Sequence, residues 1–173
     1  VLKGADAGFS GRAVIEGGTI ELATSGALGT ANVQFVEPAV GSAVLQINAA
    51  DAPAAGGTFA NKIEDFSGAH EDIDLRSIAY VAGASATVTG SRLLLTDGGK
   101  TYTFIVGGTI AGAYSVLSDG HGGTLIDPKA VAFTHAAAAF APADAGKTAL
   151  VSSTEPTVTP FAHATASASA GPR

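Results

Sequence analysis

The chain has 173 residues, with 9 Lys and Arg against 15 Asp and Glu, a net charge of −6, and no Cys, Met or Trp. An acidic chain without a Lys/Arg cluster lacks the cation density that grips a phosphate backbone, so nucleic acid is excluded as a partner. The lack of cysteine removes disulfides, thiolate nucleophiles and Cys-ligated zinc, and is compatible with bacterial export.

Only 14% of residues are charged and 46% are apolar, against roughly 25% charged in an ordinary globular chain. The surface must therefore be built largely from Gly, Ala, Ser and Thr. Positive mean hydropathy excludes a disordered chain, and the 23 glycines follow no three-residue period, which excludes collagen. No apolar run reaches the roughly 18 residues of a membrane-spanning helix, so no transmembrane segment is expected. A start at Val1, with no charged-then-apolar leader, reads as a mature product or a piece of something longer.

Short β-type runs separated by Gly or Ala turns dominate: 13–16, 19–22, 32–36, 43–48, 58–66, 72–75, 85–89, 93–96, 101–106, 114–118 and 124–126. Most alternate with the period of two that a half-buried strand requires. Ile20 and Leu22 are expected to face inward, as are Val33 and Phe35; over 43–48, Val44 competes with Leu45 and Ile47 for the interior. Up to Leu75 the loops are long and uneven, as at 23–31 and 49–57, which suits parallel coils stacked in a β-solenoid. From Ser85 the turns shorten. Asp97-Gly98-Gly99-Lys100 and Ser118-Asp119-Gly120-His121-Gly122-Gly123 supply the positive φ of hairpin turns, so the second half reads as an antiparallel meander. Such a meander could close one end of the solenoid, whose bare coil would expose strand edges.

The fold class expected is therefore all-β: short parallel solenoid-like coils over about 13–75, then a hairpin meander over about 85–127. Together they form a module spanning 1–130. Residues 131–173, rich in Ala, Ser, Thr and Pro, read as an extended or flexible tail; Ala136 to Ala139 with Val131, Phe133 and Phe140 could form a short strand or helical turn, and from about Ser152 the chain offers too little apolar mass to offset an ordering cost of about 1–2 kcal/mol per residue.

Four segments follow one another in a distinctive order: Ile63-Glu64-Asp65-Phe66, Asp72-Ile73-Asp74-Leu75-Arg76-Ser77-Ile78-Ala79-Tyr80, Leu93 to Lys100, and Tyr114 to Ile126 with its Ser118-Asp119-Gly120-His121-Gly122-Gly123-Thr124 core. With Gly18-Thr19-Ile20-Glu21-Leu22 upstream, this series resembles a module of large secreted or surface proteins of alphaproteobacteria. The likeness covers about 13–127. It implies an adhesin-like, non-catalytic part of an exported protein, sometimes beside carbohydrate-active domains, and carries no catalytic motif onto this chain.

The acidic cluster Glu64, Asp65, Glu71, Asp72 and Asp74, with His70 beside it, has the carboxylate density that a calcium ion needs for its six to eight oxygen ligands. Strand periodicity puts Asp72 and Asp74 on one face, opposite Ile73 and Leu75. Asp119 sits in a Gly-rich segment like the calcium-binding nonapeptide of exported proteins, but that pattern occurs once and must repeat to build a site. Asp65, Asp72, Asp74 and Asp119 are thus the metal candidates, with Ca2+ as the ion. Against each stands a plainer reading, a solvated turn or a Gly-rich hairpin loop.

No Gly-x-Ser-x-Gly elbow, His-Glu-x-x-His helix or phosphate loop is present. Glu21, Glu64 or Glu71 could pair for glycoside cleavage, but the 6% aromatic content leaves few platforms for sugar stacking. Tyr80, Tyr102 and Tyr114 read as strand residues that pack across a sheet. The function expected is a non-enzymatic extracellular or cell-surface module in adhesion, matrix or self-assembly, pairing with copies of itself or with neighbouring modules. The alternative is a glycan- or calcium-binding accessory domain of a secreted carbohydrate-active enzyme. A lyase or hydrolase on the solenoid scaffold is the remaining reading, and nine dispersed cations argue against its basic groove.

Overall fold

A computed structural model describes residues 1–128. The tail expected over 131–173 lies outside the described residues. Eleven strands form one continuous sheet: β1 (Arg12–Ile15), β2 (Gly18–Leu22), β3 (Asn32–Phe35), β4 (Ala43–Ile47), β5 (Ile63–Glu64), β6 (Glu71–Leu75), β7 (Ser85–Thr89), β8 (Arg92–Asp97), β9 (Lys100–Gly107), β10 (Gly112–Ser118) and β11 (Thr124–Asp127). No helix among them is long and apolar enough to cross a membrane.

The first six strands make three coils of a solenoid: each coil contributes one strand to each of two parallel ladders. One ladder runs β1, β3, β5, the other β2, β4, β6. Register puts like beside like. Ala13, Val33, Ile63 and Val106 form one inward row; Ile20, Leu45 and Ile73 form another, and Leu22, Ile47 and Leu75 a third. Parallel stacking rewards such rows, because each apolar residue is covered above and below by its equivalents.

The remaining strands seal one end. β9 continues the first ladder in parallel with β5, while β11 closes the second antiparallel to β6. Between them β9, β8 and β7 form an antiparallel meander, and β10 joins β7 to β11. The order is β1-β3-β5-β9-β8-β7-β10-β11-β6-β4-β2, so the sheet starts and finishes in the same first coil. The meander expected over 85–127 is thus broken after β9: β10 pairs with β7 rather than with its predecessor. At the β8–β9 hairpin, Gly98 and Gly99 both take positive φ (55° and 75°), the geometry of a two-residue turn that matches strand twist.

Two local expectations change. The run 58–66 yields only the two-residue β5, with Thr58 in an isolated parallel bridge to Thr103; between them Asn61 turns its side-chain amide to the Gly29 and Ala31 carbonyls (3.1 and 2.8 Å), which ties loop to loop instead of strand to strand. In β4, Ala43, Leu45 and Ile47 are buried and Val44 faces outward. Its partner Asp72 occupies the outward row of β6, and one residue's slip would invert both faces.

Aromatic rings join coils to cap. Phe66 packs between Phe35 (5.1 Å between centroids) and Tyr114 (5.6 Å), and Phe59 packs against Phe104 (5.8 Å). The Tyr114 hydroxyl lies 3.1 and 3.0 Å from the Phe66 and Ile110 carbonyl oxygens, and burial pushes its pKa up to about 12. The register has a direct test: Leu45→Ala should cost about 2–5 kcal/mol in urea unfolding, whereas Val44→Ala should stay below about 1 kcal/mol. Equal losses at the two positions would contradict the assigned faces.

Candidate functional site

Two features stand out from the rest of the molecule: the uncovered face of the first coil, and a buried acidic pair where the β10–β11 turn meets the coils.

In the first coil, β1 and β2 each pair with a strand on one side only among the described residues. Of their inward residues, Ala13 and Ile20 are half-buried, while their equivalents one coil down, Val33 and Leu45, are 0% exposed; Ile15 and Leu22 are buried as fully as Phe35 and Ile47. Val1, Leu2 and Val14 are exposed at the same end. Part of this face is occupied by the chain's own first residues. Leu2 bridges Leu22 in parallel; its amide donates to the Glu21 carbonyl (2.8 Å), and its carbonyl accepts from Ala23 N–H (3.1 Å). Leu2 thereby extends the row Leu22, Ile47, Leu75. Further along, the Thr30 and Asn32 amides donate to the Phe9 and Gly11 carbonyls (3.0 and 3.3 Å). Residues 2–11 thus trace the irregular side of a coil above β1 and β2. Gly29, at φ 50°, lies under this segment; a Cβ there would run into the Asp6 and Phe9 carbonyl oxygens, so only glycine permits the approach.

The acidic cluster seen in the sequence is dispersed by the coil. Glu64 pairs with Lys62 (2.9 Å) and Arg12 (3.8 Å) on the first ladder. Asp65, at φ 60°, accepts from the Gln34 amide (2.7 Å) on the same side. Glu71 is 2% exposed and accepts from the Ser67 and Gly68 amides (2.7 and 2.8 Å); burial raises its carboxyl above the usual value, those two donors offset part of the rise, and Glu37 and Asp65 add to it. His70 meets Glu37 at 2.6 Å. Asp72 stands in the outward row of β6, as its alternation with Ile73 indicates.

Asp74 and Asp119, far apart in the sequence, come together. Arg76 lies between them, its Nε 3.1 Å from Asp74 Oδ2 and its Nη1 3.6 Å from Asp119 Oδ2. The Gln46 amide donates to Asp74 Oδ2 (3.1 Å), and the His121 and Gly123 amides donate to Asp119 Oδ1 (both 2.7 Å). Asp119 therefore organises its own turn and also docks it on the coils. Asp74 Oδ1 and Asp119 Oδ2 are buried without a hydrogen bond among the described residues. Burial raises the Asp74 carboxyl; Arg76 and Gln46 offset part of this, and the neighbouring Asp119 adds to it. Burial would raise Asp119 as well, but its two amide donors and Arg76 outweigh it and hold the group below the usual value.

Of the four metal candidates, then, the structure joins Asp74 and Asp119, and leaves Asp65 on the other ladder and Asp72 in its own row. The positive charge at the joined pair is the Arg76 guanidinium. Among the described residues no group of three or more His, Asp or Glu side chains converges on one point. A further polar centre escaped the sequence reading: Asp97, 3% exposed, accepts from Val81 N–H (2.9 Å) and lies 2.8 Å from the Thr124 hydroxyl. As the last residue before a Gly-Gly turn it reads as turn chemistry, and only the closure of β11 over the coil buries it. A scan against protein-family models matched none, and searches of curated proteins and of solved structures returned no match.

The acidic pair has opposite pH signatures. Asp74, raised in the folded chain, contributes stability below its unfolded value of 3.8 that is lost as pH rises through the folded value; Asp119, lowered, contributes stability above 3.8 that is lost in acid. Asp74→Asn should therefore raise the melting temperature at pH 7 and lose its advantage near pH 3. Asp119→Asn should lower it at pH 7, with the deficit shrinking in acid. Melts from pH 3 to 8 that shift both variants in the same direction would contradict the assignment.

Proposed function

We propose that the chain is a non-catalytic structural and interaction module, the closed terminal unit of a stack of β-coils, which receives a further coil on the face of β1 and β2. One observation carries this reading: among the described residues the sheet's two free edges lie together in the first coil, while the opposite ends of both ladders are covered by β9 and β11. Free edges beside partly covered apolar residues, here Ala13 and Ile20, are a hazard that proteins ordinarily blunt with charge or proline. Here the inward positions are Ala13, Ile15, Ile20 and Leu22.

Leu2 indicates what the face accepts. The strand fragment already seated there is parallel to β2 and places an apolar residue in register with Leu22, so the fitting partner is a parallel β-coil with apolar inward residues. A second copy cannot supply it head to tail, because its own far end is sealed. Copies could meet only through identical faces, which closes a dimer and stops growth. The resemblance to secreted and surface proteins of alphaproteobacteria supplies the setting we favour, an extracellular or cell-surface protein acting in adhesion, matrix or assembly.

Repeating residues 3–22 in tandem at the N-terminus tests the face directly, because the Leu22 of the added copy then takes the place of Leu2. In a stacked solenoid each added coil contributes its own stability plus one interface. The extended chain should stay folded and melt higher, by about 2–4 °C for each kcal/mol gained, and a scrambled extension of equal composition should not. No gain over the scrambled control would overturn the reading.

A further inference from the structure

The outward side of the cap meander differs from the rest of this acidic molecule. Strand register aligns its residues in three rows: Ser85, Thr96 and Thr101; Thr87, Leu94 and Thr103; Thr89, Arg92 and Ile105. These nine positions contain six hydroxyls, one guanidinium and no carboxylate, in a chain that carries 15 acidic residues.

Five of them, Thr87, Thr89, Arg92, Leu94 and Thr103, enclose a groove of about 360 Å³, at the small end of the roughly 300–1,000 Å³ typical of ligand sites. Leu94, 44% exposed, supplies its apolar surface. Neither the three threonine hydroxyls nor the Arg92 guanidinium has a hydrogen-bond or ion-pair partner among the described residues. Of the other described cations, Arg12, Lys62 and Arg76 are engaged by carboxylates, while Lys3 and Lys100 have no ion pair among the described residues. The groove is thus a shallow apolar patch ringed by free hydroxyls, with an unneutralised planar cation at one side.

We propose that this groove binds an acidic sugar, a hexuronate unit of a polysaccharide. Its carboxylate would take the two-pronged hydrogen bonds that a guanidinium offers, its ring hydroxyls would exchange hydrogen bonds with Thr87, Thr89 and Thr103, and the C–H face of the ring would cover Leu94. β-Branched threonines on paired strands have little rotamer freedom to lose, which lowers the cost of binding. The ring sits on an aliphatic side chain, so the site does without the aromatic platform whose scarcity argued against sugar binding in the sequence. The site is independent of the coil-stacking face, and either can fail without the other.

The test is an amide chemical-shift titration of the full chain with digalacturonate, and with neutral galactobiose as its uncharged counterpart. Shifts should concentrate at Thr87, Thr89, Arg92, Leu94 and Thr103, saturate at millimolar concentration, and weaken as salt screens the charge. Arg92→Gln, at an exposed position, should keep the spectrum of the fold and weaken digalacturonate binding about tenfold. Equal response to the neutral disaccharide, an unchanged response in Arg92→Gln, or no shift at about 20 mM sugar would each overturn the proposal. So would shifts of the same amides with protein concentration alone, which would mean that a second copy covers the face.

Discussion

Backbone pairing in parallel register is the constraint on which the rest of this molecule depends. A parallel ladder places residues of successive coils directly over one another, so the inward rows Ala13–Val33–Ile63–Val106 and Leu22–Ile47–Leu75 must be apolar throughout. A coil buried on both sides needs nothing more. A coil at an end leaves both its backbone edges and its apolar row uncovered, and every solenoid must resolve that. Here one end is resolved by a change of pairing mode: β9 stays parallel to β5, the chain then turns antiparallel through β8 and β7, and β11 returns antiparallel onto β6. Closure is completed by side chains that the coils alone could not satisfy. Tyr114 reaches back to Phe66, Thr124 meets Asp97, and Asp119 shares Arg76 with Asp74.

Much of this is legible in the residues, and the parts that are not fail for identifiable reasons. Every one of the eleven runs overlaps an observed strand, because alternation and glycine turns are local signals. The change from parallel to antiparallel pairing is equally visible, since Gly98-Gly99 and the Gly-rich 118–123 segment demand tight turns while 23–31 and 49–57 do not. Hydrophobicity alone leaves Val44 competing with Leu45 and Ile47 for the interior; the register with Thr19 and Asp72 that turns it outward is a non-local fact. Likewise 58–66 has the composition of a strand, but Asn61 spends its side chain on the neighbouring coil's loop and interrupts the ladder.

The acidic residues show the same limit. In sequence Glu64, Asp65, Glu71, Asp72 and Asp74 look like one site, yet a coil corner falls between Asp65 and Glu71 and sends them to different ladders. Proximity along the chain says little about convergence when each ten residues turn a corner. The pair that does converge, Asp74 with Asp119, is separated by four strands, and its meeting follows from the antiparallel return of β11 onto β6. Burial raises both carboxylates and Arg76 lowers both; the two groups shift in opposite directions because Asp119 also accepts from the His121 and Gly123 amides, which Asp74 lacks.

Amide hydrogen exchange reads the asymmetry of the two ends most directly. If the stack is sealed at β9–β11 and open at β1 and β2, amides of β4 and β6 should be protected along their whole length. In β1 and β2 protection should alternate: amides that point to β3 or β4 exchange slowly, and those that point outward exchange at rates close to those of unprotected peptide. Full protection along β1 and β2 in the isolated chain, or weaker protection in β6 than in β2, would contradict a solenoid closed at one end and open at the other.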